Sequence, residues 1–233
     1  MTAYMILHTP RTGSNLLADL LSSTGVAGIN GVERAGFFVG WGGVALKNNG
    51  IEKVAEYLQD STTPNGVTGC KGDFIYLDRI RGSLPYGAIE EIVGTFDKFI
   101  LITRNDLVAQ AVSYYVAGAT GEFTSLNVKP QSKRAILYNK DRIAWLISRI
   151  VGDNARMNRW FYEQDIVPLR LTYEELVRDM FGTVSDVLDF LDLDMPSKWE
   201  PLPTLQQQHD QRKLKWVTRY KQETGHNVVA APD

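Results

Sequence analysis

Cysteine is nearly absent: Cys70 is the one cysteine in 233 residues. A lone thiol excludes an intramolecular disulfide and cannot build a metal centre by itself, which agrees with a reducing compartment. Set in an apolar stretch, Cys70 reads as a small buried hydrophobe rather than a nucleophile. Histidine is scarce too, with His8, His209 and His226 alone. Long apolar runs are missing. The longest near-apolar stretch, Phe37 to Leu46, is too short to cross a bilayer and holds three glycines. No basic excess exists either: the net charge of −2 gives no electrostatic footprint for nucleic acid. The N-terminus shows neither a basic segment nor a long apolar one, so no signal peptide is read there. A soluble, cytoplasmic protein without a nucleic-acid or membrane partner is the expectation. Repeats and low-complexity linkers are lacking as well, so residues 1–233 are expected to form a single domain.

What is present is alternation. Tyr4-Met5-Ile6-Leu7 reads as a buried strand, and Leu16, Leu17, Leu20 and Leu21 recur at helical spacing until Gly25. Val67 to Cys70, Phe99 to Thr103 and Pro168 to Thr172 are further strand candidates. Helices are expected at Ile51–Asp60, at Leu107–Val116 with Asn105 as N-cap, and over Ser132–Glu163. Ile136, Ile143, Ile147 and Ile150 mark the inner face of that long stretch, with a candidate break at Gly152-Asp153-Asn154. Helices follow at Tyr173–Asp179, Thr183–Leu191 and about Asp210–Thr224. Short apolar strands alternating with amphipathic helices predict an α/β fold: three layers, with a central mostly parallel sheet flanked by helices.

Chemistry concentrates in TPRTGSNLL, residues 9–17, between the first strand and the first helix. A helix N-terminus offers unpaired N–H groups and a favourable dipole to an anion. Gly13 permits close backbone approach, Ser14 supplies a hydroxyl and Arg11 a permanent charge. The loop is P-loop-like in placement but is no Walker A loop, because GxxxxGK[ST] spacing is absent. The alternative is a plain strand–turn–helix joint. Against it stands Arg104, at the end of the strand FILIT, followed by a helix with Gln110 and Ser113. Ligands of parallel sheets bind at the carboxyl ends of strands. Metal-dependent phosphoryl-transfer enzymes place an acid at such a strand end. Arginine there points to direct anion pairing without a metal. Asp106 suits the first helical turn.

Several of these blocks resemble the bacterial trehalose 2-sulfotransferase-like family: PRTGSNLL with TGVAG (24–28), NGVTGCK (65–71), TRNDLVAQAVSYYVAGATGEF (103–123), LTYEEL (171–176), and LQQQHDQRKLKW (205–216) with Tyr220. The resemblance implies a sulfotransferase using 3′-phosphoadenosine 5′-phosphosulfate (PAPS). Arg11, Thr12, Gly13, Ser14, Asn15 and Leu16 would hold the 5′-phosphosulfate, and Arg104 and Ser113 the 3′-phosphate. It further implies a hydroxyl acceptor, often a sugar, and a homodimer. The sequence departs from the family pattern at Asn15, where Ser or Thr is usual, and at Gln207-Gln208, where an Arg-Gln pair is usual. Gly36 precedes Phe37-Phe38 where the family carries Glu, and the nearest acid is Glu33.

Glu33, in the Gly- and aromatic-rich loop, is therefore the candidate general base, beside Arg11 as the stabiliser of leaving-group charge. Phe37, Phe38 and Lys71 are candidate acceptor-site residues; core rings and a plain exposed lysine are their alternatives. Arg212 could reach the nucleotide from the C-terminal segment, and His8 stands beside the loop as packing or as a reserve base. The rivals to a sulfotransferase are a non-catalytic PAPS-binding module and a P-loop phosphotransferase.

Overall fold

The computed structural model describes residues 2–28, 62–73, 93–123, 136–204 and 210–225. Its strands are β1 (Thr2–His8), β2 (Val67–Asp73), β3 (Lys98–Thr103) and β4 (Leu169–Thr172). Its helices are α1 (Ser14–Ser23), α2 (Leu107–Thr120), α3 (Lys140–Glu163), α4 (Tyr173–Arg178), α5 (Met180–Phe190) and α6 (Gln211–Thr224). The strands form one parallel sheet in the order β2-β1-β3-β4. The helix expected at Ile51–Asp60 and the residues Glu33, Phe37, Phe38, Gln207 and Gln208 lie outside the described residues.

The sheet is covered on both faces, which is why its strands read as apolar runs rather than alternating patterns. On one face Tyr4, Ile6, Ile100, Ile102 and Leu171 pack against Leu17, Leu20 and Leu21 of α1, Leu176 of α4 and Val187 of α5. The other face packs on α3: the ring of Phe99 meets Trp160 and Phe161 edge-on, at 5.8 and 6.1 Å. Above α3, the helices α2, α3 and α6 share a second apolar cluster around Val112, Ile150 and Trp216. Gly69 has no side chain for a steric reason. A Cβ there would lie 2.5 Å from the ring of Tyr4, whose hydroxyl reaches across to the Ala27 carbonyl.

Three local expectations are corrected. Asp106, not Asn105, caps α2, its carboxylate accepting from the Ala109 N–H at 2.9 Å. Asn105 is instead held through its own N–H by Glu174. The break at Gly152–Asn154 does not occur, and α3 runs unbroken through it. Asp153 is buried there between Arg149 and Arg156, one turn to either side, so its charge stays compensated. The inner face of α3 is Ile143, Leu146, Ile150, Met157 and Phe161, with Ile147 only half-buried.

Register places the chemistry. His8 pairs with Asp73 on one side and Ile102 on the other, and Thr103 pairs with Thr172. The carboxyl ends of all four strands therefore share one edge. The chain leaves β1 toward β2 on one side and returns to β3 on the other, so the sheet's switch point lies between β1 and β3. A crevice at that point is where open parallel sheets bind ligands.

Candidate active site at the sheet edge

Residues 9–13 join β1 to α1 at the switch point. The helix they lead into is unusual among the described residues. Its N-cap, Gly13 at φ 82°, contributes no side-chain bond, and its first turn holds no acid. The other five described helices begin with a capping side chain, from Asp106, Asn139, Thr172, Asp179 and Asp210. The amide end of α1 thus keeps its positive partial charge for a ligand.

The loop itself is tied from below. The Thr9 carbonyl accepts from His8 Nδ1–H at 3.0 Å and from the Thr12 hydroxyl at 3.1 Å. Gln110 Nε2 donates to the Pro10 carbonyl at 2.9 Å and to Thr9 Oγ1 at 3.0 Å. The Thr9 hydroxyl in turn donates to Asn154 Oδ1. With Nδ1–H committed to a carbonyl, His8 holds a bare lone pair at Nε2, which has no hydrogen-bond partner among the described residues. Burial, and then the charge of Lys71, lower the His8 pKa to about 3. His8 is therefore a neutral packed residue and a weak base.

Arg11 has φ 73°, a left-handed conformation that costs a non-glycine residue roughly 1–3 kcal/mol. Its side chain bends toward α2, where Nε–H donates to Ser113 Oγ at 3.0 Å and Nη1 to the Phe123 carbonyl. Burial, and then the charge of Arg104, press its pKa down, so the two guanidinium groups are electrostatic neighbours. The structure thus brings Arg11, Arg104 and Ser113 together, with Arg11's side chain on the Arg104 side of the loop.

Arg104 leaves β3 and stacks on Tyr173, its guanidinium carbon 4.4 Å from the ring centre. Its charged partner is Glu174, at 3.9 Å. That carboxylate already accepts from the N–H groups of Asn105 and Asp106 at 3.0 and 3.2 Å. The contact is too long for a hydrogen bond, and the buried Nε of Arg104 has no hydrogen-bond partner among the described residues. This is a cation with donor capacity in reserve, not a closed surface salt bridge.

Tyr173 was readable in LTYEEL only as part of a helix start. In three dimensions its ring lies between Arg104 and the loop. A Cβ on Gly13 would sit 2.6 Å from Tyr173 Cδ2, so the glycine is required by contact as well as by its φ. Arg212, on α6, gives Nη2 to Asp210 at 2.8 Å and keeps a buried Nε without a hydrogen-bond partner among the described residues. Its neighbour Lys213, missed from sequence, feels the charge of Arg11: burial first and then Arg11 lower its pKa.

For Lys71 the alternative of a plain exposed lysine is overturned. It is 5% exposed, and its ammonium donates to Asn15 Oδ1 at the first turn of α1. So Asn15, where the family pattern has a hydroxyl, anchors a buried cation beside the loop. Burial lowers the Lys71 pKa to about 8, with Asp73 opposing the shift. Because the folded value lies below the ordinary 10.5, the unfolded chain binds more protons between those limits, and stability gains with rising pH there. Lys71→Met should therefore be more stable than the parent below pH 8. The difference should shrink by up to about 1.4 kcal/mol per pH unit from 8 to 10.5, as read by denaturant unfolding of both proteins. A pH-independent difference would show that the lysine is not held as a buried cation.

The geometry is a cluster of cations at a sheet edge, beside an uncapped helix end. Comparisons with known proteins agree with it. The sequence model of the Stf0 sulphotransferase family matches residues 73–223, a stretch with Arg104, Ser113, Tyr173 and Arg212 inside it and the loop outside. The trehalose 2-sulfotransferase of Mycolicibacterium smegmatis is 29% identical over 261 aligned positions, covering 95% of both chains. The trehalose 2-sulfotransferase of Mycobacterium tuberculosis is 29% identical over 259, covering 94% of both. Among solved structures, a sulfotransferase from Alicyclobacillus acidocaldarius shares the fold, with a TM-score of 0.53 at 14% identity and 97% coverage of each chain. With its family model matching more than half of its length, the chain belongs to the Stf0 sulphotransferases, a family of enzymes.

Proposed function

We propose that this protein transfers the sulfuryl group of PAPS to a hydroxyl of a small acceptor, with a sugar as the acceptor class. The observation that carries the reading is the pairing of an uncapped helix end with Arg11, Ser113 and Arg104 at one strand edge. A 3′,5′-bisphosphate nucleotide needs two anion sites a nucleoside apart. The fit is supported by Arg104 Nε and Arg212 Nε, buried donors that lack hydrogen-bond partners among the described residues. The two trehalose 2-sulfotransferases that match nearly the whole chain support a sugar hydroxyl as acceptor.

When bound, PAPS supplies the sulfuryl group and leaves as 3′-phosphoadenosine 5′-phosphate. The amides of residues 12–16 hold the 5′-phosphosulfate, with Lys71 behind Asn15 adding charge. Arg104 and Ser113 hold the 3′-phosphate. Arg11, lying between these groups, stabilises charge on the leaving phosphate oxygen by preorganised electrostatics. Arg212 with Lys213 closes the site from α6. These cations make a divalent metal unnecessary, and Arg104 stands where a phosphoryl-transfer enzyme keeps its metal-holding acid. Glu33 takes the acceptor's proton, and Phe37 and Phe38 line the acceptor side. The 233 residues act as one domain, and the protein is a homodimer.

Two outcomes are expected. Arg104→Ala should weaken binding of 3′-phosphoadenosine 5′-phosphate by about 2–4 kcal/mol, the scale for removing one partner of a charge-assisted pair. Affinity for adenosine 5′-phosphosulfate, which lacks the 3′-phosphate, should barely change; equal losses would make Arg104 structural. Glu33→Gln should leave cofactor affinity intact and lower sulfate transfer to a sugar acceptor by roughly 10²–10⁴-fold. Unchanged turnover would place the base elsewhere, and a parent protein that binds the nucleotide but sulfates no hydroxyl would favour a non-catalytic binding module.

A further inference from the structure

We propose that Gln110 is a positioning residue: it fixes the Pro10–Arg11 peptide so that the loop offers N–H, not C=O, to the 5′-phosphate of the nucleotide. This rests on the reading of the site under Proposed function.

The loop has few backbone groups, and each carbonyl turned toward an anion would repel it. The Thr9 carbonyl is removed from the site by two donors, His8 Nδ1 and Thr12 Oγ1. Pro10 has no N–H, so its carbonyl is its only backbone polar group. Among the described residues that carbonyl is held by one bond, from Gln110 Nε2 at 2.9 Å. A trans peptide is planar, with its C=O and N–H pointing in opposite directions. Drawing the Pro10 oxygen down toward α2 therefore turns the Arg11 N–H the other way, away from Gln110.

The hold is needed because the conformation is not the relaxed one. Arg11 stands at φ 73°, and rotating the Pro10–Arg11 peptide through half a turn would return it to ordinary negative φ. The same rotation would point the Pro10 oxygen at the anion. Gln110 opposes it from a rigid platform. The side chain is fully buried within α2, and its second amide hydrogen goes to Thr9 Oγ1 at 3.0 Å. The amide's orientation is unambiguous, since a carbonyl can only accept. Among the described residues its buried Oε1 has no hydrogen-bond partner. Both donors are thus spent on the loop at the expense of the acceptor, the reverse of what packing alone would select. Three residues along the same helix, Ser113 holds Arg11's guanidinium. One helix face therefore fixes both the backbone and the side chain of Arg11.

The test uses the full chain and two ligands, 3′-phosphoadenosine 5′-phosphate and adenosine 3′-phosphate, which lacks the 5′-phosphate. Gln110→Met keeps the length and removes both donors. It should weaken the bisphosphate by about tenfold or more, the scale of a lost buried hydrogen bond, and leave adenosine 3′-phosphate nearly unchanged. Gln110→Glu tests the same point by titration. Ionised, it cannot donate to Pro10; protonated, it regains one donor, so its bisphosphate affinity relative to the parent should recover as pH falls. Equal losses for both ligands, or no loss for either, would overturn the proposal by making Gln110 a packing residue. A Gln110→Glu variant whose relative affinity stays flat with pH would overturn it too. Failure of the parent to bind the bisphosphate would instead bring down the reading of the site, and this inference with it.

Discussion

The amide end of α1 is left without a capping side chain, and most of the site's construction follows from that one constraint. A helix that forgoes its cap gives up about 1 kcal/mol unless something else satisfies its first turn. In the proposed reading that partner is a ligand. Gly13 has no side chain with which to cap, and no acid stands in the first turn. Beneath the loop, His8, Thr12 and Gln110 take up the carbonyls of Thr9 and Pro10.

The electrostatics carry the mark of a site built for an anion. Arg104 presses on Arg11, Arg11 on Lys213 and Lys71 on His8, and burial lowers the pKa values of Arg11, Lys213 and Lys71. Such crowding costs stability in the free protein and is relieved when negative charge enters. Where acids approach, they are already occupied. Glu174 holds two backbone N–H groups, and Asp106 caps α2 while pairing with Lys221. The net charge of −2 hides this local excess, because what matters is where the arginines stand rather than how many there are.

The framework was legible in the chain because burial on both sheet faces leaves an unmistakable trace. FILIT and YMIL are runs without polar interruption, and each became a central strand. The loop was legible because TPRTGS combines a turn, a glycine and a cation at a strand end. Arg104 was legible from its position alone, since a parallel sheet gathers its strand ends on one edge. What sequence could not give were contacts created by strand order. Lys71 looked exposed, yet pairing β2 beside β1 buries it against α1. Tyr173 became part of the site because β4 lies beside β3, which brings its ring under Arg104. The cap of α2 was misread by one residue because Asn105 and Asp106 can both cap; Glu174, 68 positions from Asp106, decides between them. The charged Asp153 read as a helix break, but arginines one turn away on both sides let it stay inside α3.

The central claim is that protein cations and loop amides, rather than a metal ion, hold a nucleotide carrying both a 3′- and a 5′-phosphate. Calorimetric titration of the protein with 3′-phosphoadenosine 5′-phosphate, in the presence of a chelator of divalent metals, tests it most directly. The account predicts saturable binding at one site per chain, unchanged when magnesium replaces the chelator. Binding that appears only with magnesium, or no binding at all, would contradict it.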